Sequence, residues 1–271
     1  MKNKIIISLF TVFIFLGCKT QITTIKQKNI RKTSLQDHAI QAVLWQQNAS
    51  EYKALTYQAY NLAQLRLDQI LANNNSQKPI AIVTDIDETL LDNSPYSGKQ
   101  IELDENYTSE RWAEWVAQKK ANAIPGALAF FNYAKSKNVA VFYISNRSAE
   151  QTKETIENLK LKGFPFADET HVLLKTNSSE KGTRRSIVNQ THEIVLLLGD
   201  NLSDFSSIFE NSTTTKRNKN TDSLKTFFGN KYIVLPNPMY GDWETKGVLE
   251  GNYNWTNSQK DSIRRKKITS Y

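Results

Sequence analysis

Two aspartates separated by a single residue, Asp85 and Asp87 in the run Asp85-Ile86-Asp87-Glu88-Thr89, are the side chains of this sequence best placed to do chemistry. Carboxylates so close repel unless a cation or a shared proton lies between them. A magnesium ion, which takes oxygen ligands, supplies that charge, and a phosphate ester is the substrate such a site suits. One Asp can attack phosphorus and form an acyl phosphate, while the other hands a proton to the leaving oxygen. An acidic loop after a strand is the competing reading of the pentad alone.

Such chemistry needs a rigid support. Ile80 to Val83, bounded by Pro79, is short and β-branched and reads as a buried strand of a parallel sheet. The aspartates then stand at its carboxyl end, where open α/β sheets bind ligands. Val139 to Ile144 is a second such run and ends in Ser145-Asn146-Arg147. Glu193 to Leu198 is a third and ends in Gly199-Asp200-Asn201-Leu202-Ser203-Asp204. Between them, Lys181-Gly182-Thr183-Arg184 lies on a predicted helix.

Asp-x-Asp-x-Thr, Ser-Asn, Lys and Gly-Asp-x-x-x-Asp, in that order, resemble the motif series of the haloacid dehalogenase-like superfamily. The segments Ala42–Tyr52, Asp85–Tyr96, Ala123–Ala127, Gly199–Phe205 and Leu235–Glu244 resemble more narrowly the class C non-specific acid phosphatases, from about Ser34 to about Tyr253. These are bacterial lipoproteins, several of which hydrolyse nucleoside monophosphates. The resemblance implies an α/β fold: a haloacid dehalogenase-like, Rossmannoid parallel sheet with a small helical cap and an N-terminal helical extension. It implies a magnesium-dependent acid phosphatase with Asp85 as nucleophile and metal ligand. Asp87 is then general acid and later base, its backbone carbonyl on the metal, and Asp200 completes the protein ligands.

Asp204 is expected beside that centre, directly or through water, or else as a charge favoured by a helix N-terminus. Ser145, where the family often has Thr, and Asn146 would donate to the phosphoryl oxygens. Lys181 would neutralise nucleophile and phosphate; Lys175 competes for this role, but Lys181-x-x-Arg184 matches the family pattern. Tyr96 and Tyr240 are candidate substrate-binding residues that can stack on a nucleobase, although Tyr240 can equally pack beside Trp243.

The N-terminus reads as a separate segment. Lys2 and Lys4 precede Ile5 to Leu16, an apolar run too short to span a bilayer comfortably, and Leu16-Gly17-Cys18 ends it. Bacterial lipoprotein signals end in this way, with Phe15 here at a position usually held by Leu. The expectation is a signal peptide over residues 1–17, lipidation of Cys18, the sole cysteine, a polar tether over 18–33 and a phosphatase domain over 34–271. That places the protein in the bacterial cell envelope, lipid-anchored to the outer membrane; an uncleaved anchor is the alternative. The resemblance allows a homodimer without any sequence feature to mark it.

A formal charge of +8 suits nucleic acid, anionic membrane or small anions. No helix-turn-helix, zinc-ligand series or aromatic RNA-binding motif is evident, so a nucleic acid polymer is not expected and a small phosphomonoester is. His38, His171 and His192 stand apart from each other and from cysteine, which disfavours zinc. Dehalogenase chemistry needs no Asp at the place of Asp87, and a lipoprotein that merely binds a ligand need not keep Asp85, Asp87 and Asp200.

Along the chain, Leu35 to Leu71 predicts one or two long helices. A helical cap is expected over about 92–123, including Ser109–Val116, and a helix restarts after Pro125-Gly126. His171–Leu174 reads as a strand and Asn211–Thr221 as a polar loop. Lys231–Leu235 reads as a late strand that delivers Pro236–Tyr240 to the same sheet face. Lys216-Arg217 and Arg264–Lys267 read as solvated loop and tail.

Overall fold

Alternation within the run after Pro79 explains the core: Ile80 and Ile82 face one side of the sheet, Ala81 and Val83 the other, and all are buried. The computed structural model describes residues 34–73 and 75–271. Cys18, the proposed signal segment and the tether lie outside the described residues. The strands in chain order are β1 (Ile80–Thr84), β2 (Leu91–Asp92), β3 (Asn122–Ala123), β4 (Ala140–Ser148), β5 (Val172–Lys175), β6 (Glu193–Gly199) and β7 (Tyr232–Val234). The helices are α1 (Ile40–Asn48), α2 (Ser50–Ala72), α3 (Ser94–Leu103), α4 (Ser109–Gln118), α5 (Ala127–Ser136), α6 (Thr152–Leu161), α7 (Gly182–Thr191), α8 (Thr214–Ser223) and α9 (Asn257–Lys267).

Five strands form one parallel sheet in the order β5-β4-β1-β6-β7. The chain steps from β1 to β4 on one side and to β6 on the other, so the strand order reverses at β1. This is where the crevice of an open α/β sheet falls. Thr84 pairs with Tyr143 and with Leu198, which brings the carboxyl ends of β4, β1 and β6 level. One face packs against α2, α5 and α6 through Tyr60, Leu67, Phe130, Phe131 and Leu159; the other packs against Val188 of α7 and Phe205. The sheet is thus covered on both faces, as its apolar parallel strands require.

Between β1 and α5 the chain leaves the sheet to form the cap. Its neck is closed by antiparallel β2 and β3, with Leu91 opposite Ala123, and α3 and α4 lie between them. Pro95 sits in the first turn of α3, where a missing N–H costs nothing. Thr108 caps α4 by accepting from the Arg111 N–H at 3.1 Å. The start of the domain ties down the other end of α3: the Ser34 hydroxyl and the Leu35 N–H donate to Asp104 Oδ1 at 2.7 and 2.6 Å.

The stretch expected as a polar loop, Asn211–Thr221, is instead largely the helix α8. It carries no apolar periodicity; it is held by Arg217, which is buried and not solvated. Arg217 donates to the Phe209 carbonyl at 3.0 Å and to Asn201 Oδ1 at 3.3 Å, and lies 3.8 Å from Asp242. In the basic tail, Thr256 and Gln259 form a capping box for α9, and Arg264 pairs with Glu244 at 2.8 Å. Among the described residues, no helix is long and apolar enough to cross a membrane.

Candidate active site

The loop after β1 turns back at once. The Asp85 N–H donates to the Leu198 carbonyl, and the Leu90 and Leu91 N–H groups donate to Ile86. Glu88 sits in the left-handed region at φ 59°, the backbone distortion that allows this tight reversal. Asp85 and Asp87 thereby enter two separate clusters above the sheet.

In the first cluster, the Lys181 ammonium donates to Asp85 and lies 2.7 Å from Asp204 Oδ1. Lys181 immediately precedes α7 and is almost fully buried. Asp85, Asp200 and Asp204 each offer a carboxylate oxygen, all within 4.8 Å of one another. Asp204 reaches this position from a short 3-10 turn (Leu202–Asp204), where its Oδ2 accepts from the Asn201 N–H at 3.0 Å. Gly199 makes room for it: a Cβ there would stand 2.4 Å from Asp204 Oδ2. Asp200 accepts from Asn237 Nδ2 at 2.8 Å and from the Thr89 hydroxyl at 3.4 Å.

Burial pushes the Asp85 carboxyl up to about 7, helped by Asp204 and Asp87 and opposed by Lys181. Asp200 is pushed well above the carboxylate range, by burial first and then by Asp204 and Asp85. Burial pulls Lys181 down, but Asp204 and Asp85 outweigh it and hold the ammonium charged. With all three carboxylates ionised beside one ammonium the cluster would carry a net charge of about minus two on all-oxygen donors, and a hard divalent cation, which favours that ionised state, fits both the charge and the chemistry.

The second cluster surrounds Asp87. Arg147 donates to Asp87 Oδ1 through Nη2 at 2.7 Å and through Nε at 3.0 Å, two charge-assisted bonds that grip this oxygen. The Ser145 hydroxyl donates to Asp87 Oδ2 at 3.2 Å, and Asn93 Nδ2 donates to Oδ1 at 2.8 Å. Arg147 is itself buried, bonded to the Thr155 hydroxyl at 3.2 Å and stacked 5.5 Å over the Trp112 ring. The Asn146 side chain points elsewhere, its Oδ1 accepting from Arg184 at 2.7 Å.

The two tyrosines differ. Tyr240 follows β7 with its ring partly exposed, and its hydroxyl donates to buried Glu88. Tyr96 is buried in the cap, its ring packed edge-on against Trp112 at 5.0 Å and near Tyr107 at 6.3 Å. The expectation of an open stacking face at Tyr96 is therefore corrected: the cap aromatics already use both ring and edge.

Arg147, Asn93 and Glu88 were not singled out from sequence. A signal existed for Arg147, a cation directly after the hydroxyl motif at a strand end. Asn93 and Glu88 act through contacts that only the folded loop creates.

The sequence matches the HAD superfamily, subfamily IIIB (acid phosphatase), over residues 3–243. Among solved structures it is similar to the class C acid phosphatase from Bacillus anthracis, with 42% identity, a TM-score of 0.84, and coverage of 88% of this chain and 99% of that one. The tungstate-bound form of that protein matches equally. More distant relatives are a stem 31 kDa glycoprotein of Glycine max, 27% identical over 161 residues, and acid phosphatase 1 of Solanum lycopersicum, 26% identical over 167 residues. Both matches cover somewhat over half of either chain: 57% of each for the glycoprotein, and 58% of this chain and 57% of the other for the phosphatase. The paired carboxylate clusters at the level ends of β1, β4 and β6, and a family match spanning most of the sequence, lead to one conclusion: the chain belongs to the HAD superfamily, subfamily IIIB, the acid phosphatases.

Proposed function

We propose that this acid phosphatase hydrolyses phosphomonoesters in two steps through a phosphoaspartate on Asp85, with magnesium as the cation and nucleoside monophosphates as a substrate class. In the first step, a carboxylate oxygen of Asp85 bonds to phosphorus and the ester P–O bond breaks. Asp87 gives its proton to the departing oxygen, which leaves as the alcohol. In the second, Asp87 takes a proton from water, whose oxygen bonds to phosphorus. The acyl phosphate P–O bond breaks, phosphate leaves and the Asp85 carboxylate is restored. Asp85, Asp200 and Asp204 would hold the magnesium, with the backbone carbonyl of Asp87 a further ligand; when bound, the ion supplies the positive charge that offsets nucleophile and phosphoryl oxygens.

The observation that carries this reading is the division of labour between the two aspartates. Asp85 faces an ammonium and two further carboxylates, while Asp87 is gripped by a guanidinium, a hydroxyl and an amide. Lys181 keeps charge balance at the nucleophile. Ser145 can turn its hydroxyl from Asp87 to a phosphoryl oxygen, and Arg184 and Asn146 brace the loop that carries it. The Bacillus anthracis relative binds tungstate, a tetrahedral oxyanion of the same shape as phosphate, which supports an oxyanion site in this chain.

Hydrolysis of 4-nitrophenyl phosphate by the purified protein, with chelator and after magnesium is restored, tests the reading. Activity that survives exhaustive chelation would end the cation assignment, and turnover by Asp85→Asn at the wild-type rate would end the phosphoaspartate.

Substrate preference rests on Tyr240, whose exposed ring offers the one stacking face left of the original pair. A nucleoside 5′-monophosphate should lose more kcat/KM than a small alkyl phosphate in Tyr240→Ala, by up to the roughly 1–3 kcal/mol that stacking contributes per base. Equal losses would make Tyr240 only the hydroxyl partner of Glu88. The signal-like segment and Cys18 support an envelope lipoprotein; Cys18→Ser should then stay out of the detergent phase that retains wild type.

A further inference from the structure

The carboxylate of Asp87 is not held symmetrically. Oδ1 accepts three hydrogen bonds, from Arg147 Nη2 at 2.7 Å, Arg147 Nε at 3.0 Å and Asn93 Nδ2 at 2.8 Å. Among the described residues, Oδ2 accepts only the longer bonds of Arg147 Nε at 3.1 Å and the Ser145 hydroxyl at 3.2 Å. Oδ2 is therefore the less tightly held oxygen and the one placed to face a leaving group, and the bonds to Oδ1 decide where it points.

Asn93 belongs to both sides of the cap hinge. It follows β2 directly and precedes α3. Its backbone N–H donates to Glu88 Oε1 at 2.7 Å, which fixes its main chain to the catalytic loop. Its side-chain Oδ1 accepts from the indole Nε1 of Trp115, on cap helix α4, at 2.8 Å. An indole nitrogen can only donate. Trp115 thus forces the oxygen of the Asn93 amide toward the cap, and the NH2 end has only one direction left, toward Asp87, the Glu88 carboxylate and the Leu91 carbonyl. The amide has no freedom to flip without losing both ends at once. Asn93 is fully buried, so no water replaces either bond.

We propose that Asn93 is the positioning residue for Asp87, and that the Trp115 indole of the cap sets the orientation of its amide, so that the acid is aligned only while α4 is seated. The proposal rests on the reading of Asp87 as general acid. It gives the cap a function apart from covering the crevice: a chain of two hydrogen bonds runs from α4 through the hinge to the proton donor. Cap displacement breaks the first bond, frees the amide and lets Oδ2 swing with the carboxylate about its remaining Arg147 bonds. Removing a single anchor should be felt in proportion to how much the leaving group needs its proton.

The test compares phenyl phosphate, a poor leaving group, with 4-nitrophenyl phosphate, a good one, through kcat/KM, which covers every step up to departure of the phenol. Asn93→Ala removes the anchor. Trp115→Phe keeps an aromatic ring in the cap and removes only the N–H, so it remains informative if Asn93→Ala folds poorly. Both variants should lose about tenfold on phenyl phosphate, the scale of one buried hydrogen bond, and less than about threefold on 4-nitrophenyl phosphate. Equal losses on the two esters in Trp115→Phe, or no loss on either, would overturn the proposal. Asp87→Asn is measured alongside. A steep selective loss there with flat Asn93 and Trp115 variants sinks the positioning role alone. A flat Asp87→Asn sinks the general-acid reading and the positioning role with it.

Discussion

Asp85 is placed where its charge is least comfortable, buried beside Asp204 and Asp200, with one ammonium to offset three carboxylates. Burial raises its pKa from the ordinary carboxylate range to about 7. A group whose folded pKa lies above its unfolded value contributes stability that is complete below the unfolded pKa and is lost as pH rises through the folded one. The chelated protein should therefore melt at a lower temperature at pH 8 than at pH 5, and the gain in melting temperature on adding magnesium should grow over the same interval. Scanning calorimetry with and without chelator checks this, and a magnesium gain that shrinks with pH would contradict it. Asp85→Asn removes one of the crowded charges, so it should lose turnover while its metal-free form melts above metal-free wild type at pH 8. Gly199→Ala should act oppositely. The added methyl displaces the Asp204 carboxylate, so magnesium affinity measured by titration calorimetry should fall by at least about tenfold, with the fold retained.

Elements with an apolar period were legible in the sequence, and those held by polar contacts were not. β1, β4 and β6 announced themselves as short apolar runs, with the Asp, Ser and Gly-Asp motifs legible at their ends. The cap was legible from the excess length between β1 and β4, and its helix α4 from Ser109–Val116. α8 was not, because its sequence is polar throughout and its anchor is one arginine with partners on distant segments. The grip of Arg147 and Asn93 on Asp87 was hidden for the same reason: residues 60 and 6 positions away meet only once the sheet registers. Tyr96 shows the converse error, since an aromatic beside a motif looks the same in sequence whether it faces ligand or packs under Trp112. Arg217→Met should cost about 2–4 kcal/mol in urea denaturation, because it takes the arginine's hydrogen bonds from the Phe209 carbonyl and Asn201 and its charge from Asp242, which keeps Ser203 and Lys246. A change below about 0.5 kcal/mol would show that α8 is held by something else.

At the scale of the whole molecule, Ser34 to Tyr271 form one compact unit that contains every residue of both carboxylate clusters. A fragment beginning at Ser34 should therefore retain the kcat of the longer chain. One beginning at Ile40 loses the bonds from Ser34 and Leu35 to Asp104 and should unfold its cap first, seen as early protease cleavage within Leu103–Thr108. The strand order carries a further consequence, for the order in which the chain becomes a protein. Among the described residues, β1 is the first strand to be synthesised, and it is the middle strand of the finished sheet. Until residues 193–199 exist, one edge of β1 has no mate, and that edge is the apolar run Ile80 to Thr84. Every nascent or truncated chain that stops short of β6 thus carries an open, sticky edge beside Asp85, the kind of edge that pairs with other chains. The β1–β6 pairing joins residues more than a hundred positions apart, the kind of contact that slows folding. The strand that leads into Asp85 stays half-paired until the far half of the sheet arrives.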